Sequence, residues 1–113
     1  MMRVYVPASL DLLASWVGSG EVPWPTGSTG PILAADEDEE SEYDALMTAA
    51  GVSAELIGGQ GRRVVVVVEV AASDHPIALR RLVAVHADVE DFTDPDDDLA
   101  WFATQEIDQL LHG

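Results

Sequence analysis

The chain has 113 residues, 48% of them hydrophobic, and a formal net charge of −16 from 21 acids against five bases, all arginine. That length and apolar content suit one α+β domain, residues 1–113, with a genuine core, and exclude a disordered polyampholyte. Without cysteine, disulfides, thiolate metal sites and cysteine nucleophiles are excluded, and so acidic a surface repels nucleic acid phosphate and anionic lipid.

Arg3 to Val6 reads as a short apolar strand ended by Pro7, with Ser9 placed as the N-cap of a first helix. That helix is expected to reach about Val17, with Leu10, Leu13, Ala14 and Val17 as its inward stripe and Gly18 and Gly20 ending it. Leu12 and Trp16 then face outward, and the Gly- and Pro-rich stretch from Gly20 to Pro31, carrying Val22 and Trp24, is placed to fold back over them. A short extended run follows at Ile32 to Ala35. No apolar run approaches the roughly 18 residues of a membrane span, and no secretion signal fits, so the expected compartment is the cytoplasm.

Seven of the acids fall in Asp36 to Asp44 and seven more in Asp88 to Asp98. The first run leads into a second helix with a stripe of Tyr43, Leu46, Met47 and Ala50, its acids sitting at the positive end of the dipole. Gly51 is expected to kink or split this helix, with Ser53 capping a last turn. The glycines from Gly58 to Gly61 stand after a helix and before a strand, the reverse of a phosphate loop, which argues against nucleotide binding.

Arg62 to Val70, RRVVVVVEV, is the expected centre of the sheet, because five consecutive valines suit a strand buried on both faces. Ile77 to Val89 is its hairpin partner. Pairing them antiparallel places Arg62 and Arg63 at the opposite end from Arg80 and Arg81, as two separate pairs suited to salt bridges rather than one basic patch. Asp94, Asp96 and Asp98 alternate as in a calcium loop, but Leu99 and Gln105 stand where glycine and a bidentate acid are needed. No metal or cofactor site is expected, and Asp96 to Asp98 read instead as the start of a third helix, Leu99 to Leu111.

Three helices thus pack on the sheet. In the third, Leu99, Phe102, Ala103, Ile107 and Leu110 share a face with Glu106 in its middle, which calls for a polar partner such as Arg3, Tyr5 or His86. Trp101 points away from that face.

Two functional readings follow. The leading one is a non-enzymatic interaction or regulatory module that meets a basic protein partner through an acidic face and exposed aromatics, using Glu37, Asp38, Glu39 and Glu40 with Trp16, Trp24 and Trp101. The alternative is a small enzyme whose acid–base pair is Glu106 and His86. A homo-oligomer is possible, but charge repulsion between copies does not favour it.

Four blocks carry a resemblance: MRVYVPASL from Met2 to Leu10, RRVVVVVEV, LVAVHADVED from Leu82 to Asp91, and WFATQEIDQLL from Trp101 to Leu111. Together they resemble a family of small acidic actinobacterial proteins known only as a domain of unknown function. The resemblance implies the fold above and no assigned activity.

Overall fold

The computed structural model describes residues 1–26, 30–71 and 73–112. It is an α+β structure in which an antiparallel sheet is covered on both faces. The central strand β4, Val64–Val70, lies between β1, Met2–Ala8, and β6, Leu82–Ala87. Short edge strands complete the sheet, β3 (Ile32–Leu33) beside β1 and β7 (Ala100–Phe102) beside β6.

The valine tract accounts for both faces. Val64, Val66, Val68 and Val70 enter one core with Val4, Val6 and Val85, while Val65 and Val67 enter the other with Tyr5, Ile32 and Ala84. Period-two alternation divides a single run between two cores, and β-branched side chains fill the pleat. The first face is closed by helix α1, Leu10–Ser19, through Leu13 and Trp16, and by helix α3, Ile107–His112, through Ile107 and Leu110. Helix α2, Glu39–Leu56, closes the other through Ala45, Ala49 and Ala50.

Several expectations are corrected. β1 continues through Pro7, which pairs with Val65. β3 pairs only with Val4 and Tyr5, so the Pro7 nitrogen meets no ladder there. Ser9 does cap α1, its hydroxyl accepting from Leu12 N–H at 3.1 Å. The helix, however, passes Gly18 and ends at Gly20 in the left-handed region (φ 79°).

The stripe of α1 is also rotated from the expected one. Leu13 and Trp16 are buried, whereas Ala14 and Val17 are exposed, because this rotation takes the largest side chain of the helix, Trp16, out of water together with Leu13. Trp16 is therefore a core residue, and the expected interaction role for it is withdrawn.

Helix α2 runs unbroken through Gly51 and buries a stripe of small residues, so Tyr43 is exposed rather than inward-facing. Small side chains let the helix lie close on a sheet whose own valines fill the space. Ser53 caps nothing: its buried hydroxyl donates to Ala8 O at 2.7 Å and accepts from Val64 N–H at 2.9 Å. The hydroxyl bridges the β1–β4 pair at the point where the strands part.

The expected strand Ile77 to Val89 divides in two. β5, Ile77–Ala78, pairs with β2, Glu21–Val22, in a separate two-stranded ribbon, and a 3₁₀ turn at Leu79–Arg81 leads into β6. The expected helix from Leu99 to Leu111 also divides, into β7, a 3₁₀ turn at Thr104–Glu106, and α3. Ala100–Phe102 pairs with Val85 to Ala87, satisfying a strand flank that would otherwise be open. Asp96 to Asp98 accordingly precede a strand and start no helix. Among the described residues, no helix is long and apolar enough to cross a membrane.

Candidate functional site

Arg63 and Asp88 form the most densely bonded polar cluster. Neither arginine of the pair Arg62 and Arg63 lies in β4. Arg63 is 1% exposed, buried where β4 begins and β6 ends. Asp88 Oδ2 accepts from Arg63 Nε and from its backbone N–H, and Oδ1 accepts from Nη2, each at 2.8 Å. Two further guanidinium N–H groups reach Pro95 O at 3.0 Å and Asp97 O at 2.9 Å, and the Phe92 ring centre lies 4.7 Å from the guanidinium carbon. Hydrogen bonds donated to the Asp88 carboxylate raise the Arg63 pKa against the opposing effect of burial.

The clamp fixes the course of residues 88–99. Arg62 Nε donates to Asp88 O at 2.7 Å, and Phe92 N–H donates to Gly61 O at 2.9 Å. Asp94 closes a turn by accepting Asp96 N–H at 2.9 Å. Because the arginine is consumed inside the loop, Glu90, Asp91, Asp94, Asp96, Asp97 and Asp98 stay exposed or on the rim. Phe92, Asp97, Asp98 and Leu99 help to line an open cleft of 480 Å³.

The two acidic stretches, some fifty residues apart in sequence, meet here. The Tyr43 hydroxyl, at the start of α2, donates to Asp98 Oδ1 at 2.7 Å, and this bond raises the Tyr43 pKa. Of the expected acids, Asp38 is the N-cap of α2; its carboxylate accepts Ser41 N–H at 2.7 Å, which lowers its pKa. Glu37, Glu39 and Glu40 are exposed around it.

β7 emerges directly from Asp98 and Leu99. Trp101, 60% exposed, lies opposite His86, which in turn lies opposite Val65, so Trp101 stands on the α2 face of the sheet at its margin. Trp24 is elsewhere, half-buried and stacked on His75 at 4.1 Å. A second cleft of 520 Å³ lies between Met1, Leu33 and Glu37; its carboxylates Glu42 and Glu69 are paired with Arg3 at 3.1 and 3.5 Å.

The expected acid–base pair is not assembled as a hydrogen-bonded unit. Glu106 leaves the core stripe because the residues before it form a strand. Its Oε1 accepts Ala103 N–H at 2.9 Å, while its own N–H donates to Ala103 O at 2.9 Å, a reciprocal cap on the turn before α3. His86 is half-buried, its Nδ1 has no partner among the described residues, and burial lowers its pKa. No group of metal-binding side chains occurs among the described residues.

The Arg63–Asp88 clamp was missed in the sequence beyond a general expectation of arginine salt bridges. The available signal was an arginine abutting a fully buried strand, with an aspartate closing the next one. A model of a family of unknown function (DUF6912) matches residues 2–95. Trp101 and Glu106 lie beyond the matched span. Neither a curated protein nor a solved structure matches the chain.

Proposed function

The chain belongs to that family of unknown function, and from its own surface we propose that it is a non-enzymatic protein-interaction module for a basic protein partner. The observation that carries the reading is the acidic loop 88–99, held in one course by the buried Arg63 and followed directly by the exposed indole of Trp101. A preformed loop keeps its carboxylates close together without ordering cost on binding, and a rigid aromatic beside a charged rim suits an interface anchor. The field of two acidic runs joined at Tyr43 and Asp98 attracts a basic surface at long range.

The test is association with a basic protein found by affinity capture, measured by stopped flow over a range of salt concentrations. Asp96→Asn/Asp97→Asn/Asp98→Asn should slow association at low salt and flatten its salt dependence, while Trp101→Ala should mainly speed dissociation. Unchanged rates for both variants would overturn the reading.

A further inference from the structure

The edge of β7 has a direction that the ladder determines. Asp88 N–H donates to Arg63 O, so at this end of β6 the backbone groups of Asp88 and His86 turn toward β4 and those of Ala87 and Val85 turn toward β7. Their partners Ala100 and Phe102 therefore make the β6–β7 bonds. Trp101, between them, turns its N–H and C=O outward. Among the described residues no strand lies beyond β7 in the sheet, and no hydrogen bond outside the ladder involves Trp101. The next outward donor, Ala103 N–H, is taken by Glu106. One rung is left open, with a 60% exposed indole on it and the acidic run immediately before it.

We propose that this rung of β7 receives an extended basic segment of a partner, which exchanges two backbone hydrogen bonds with Trp101, lays an apolar side chain on the indole, and carries Lys or Arg toward Asp96, Asp97 and Asp98. This deepens the proposed function and rests on it. Charge selects the occupant: a second copy would bring its own acidic run against this one, whereas an extended basic chain complements it. Edge addition draws affinity from main-chain bonds and specificity from alternate side chains, and the short, capped edge confines pairing to one place.

The test uses a capped peptide of alternating Lys and Val, its analogue N-methylated on alternate residues, and a Glu–Val control, titrated into the intact chain and followed by amide NMR. Binding of the Lys–Val peptide should shift the Trp101 N–H, and the N-methylated analogue with the edge-facing donors blocked should bind about tenfold more weakly. Both Trp101→Ala and Trp101→Pro remove the indole, but the proline also removes an N–H that β6 does not use, so Trp101→Pro should bind more weakly than Trp101→Ala by a similar factor. Equal binding by the methylated and parent peptides, or no binding of the parent, overturns the edge proposal. If the edge proposal fails while binding to a basic protein still depends on Asp96, Asp97 and Asp98, the acidic-surface reading survives; if that dependence is absent as well, both fail.

Discussion

Asp88→Asn tests the clamp that shapes the acidic loop. The substitution keeps the side-chain shape but removes the charge and turns an NH₂ group toward a guanidinium that is 1% exposed. Three bonds of 2.8 Å from Arg63 end on this carboxylate, and the structure offers the guanidinium no second anion within ion-pair distance among the described residues. Removing one member of a buried pair costs about 3–5 kcal/mol, most of it the penalty of an uncompensated buried charge. For a chain of this size that corresponds to a fall in Tm of roughly 10–20 °C. Urea unfolding should show a lower midpoint with an unchanged slope. The double variant Arg63→Met/Asp88→Leu should recover part of the loss, because apolar side chains need no partner, while the backbone N–H of residue 63 still loses its acceptor. It should also release Pro95 O and Asp97 O, so amides in residues 88–99 should exchange faster even where global stability returns. A loss below about 1 kcal/mol for Asp88→Asn would refute the argument, since surface pairs alone reach that value.

Ser53→Ala should cost about 1–3 kcal/mol by leaving Ala8 O and Val64 N–H unpaired in a buried position, measurable by urea unfolding; a neutral result would mean that the strands close on each other instead. His86 has a folded-state pKa below its ordinary 6.5, so the unfolded chain takes the proton first. Its contribution to stability is therefore full above about pH 6.5 and is lost as pH falls through that value toward the lowered pKa. His86→Gln should flatten this part of the stability profile relative to the parent, and identical slopes would remove the histidine as the cause.

The divided helix at the end of the chain shows where sequence pattern stops being sufficient. Leu99, Phe102, Ala103, Ile107 and Leu110 satisfy a helical period, but Ala100–Phe102 also satisfies an open flank of β6, and only the position of that flank in space decides between them. Glu106 changed roles for the same reason: as part of one long helix it would be a buried acid, but following a strand it caps a turn. The phase of α1 is a similar case, since Leu13 fits a stripe with Val17 as well as one with Trp16 until the sheet takes up the larger Trp16 and leaves Val17 exposed.

By itself the sequence determined the features whose cause is local or compositional. Five valines between turn residues make a two-faced strand wherever they are placed, Ser9 caps because its hydroxyl reaches the N–H three residues on, and two acidic runs give an acidic surface in any packing. The tertiary structure alone decided that Arg63 meets Asp88, that Ser53 bridges Ala8 and Val64, that Tyr43 joins the acidic runs, and that Trp101 stands on an open edge. These depend on side chains from distant segments arriving at one point, and neither periodicity nor composition encodes that distance, because each is a property of neighbours along the chain.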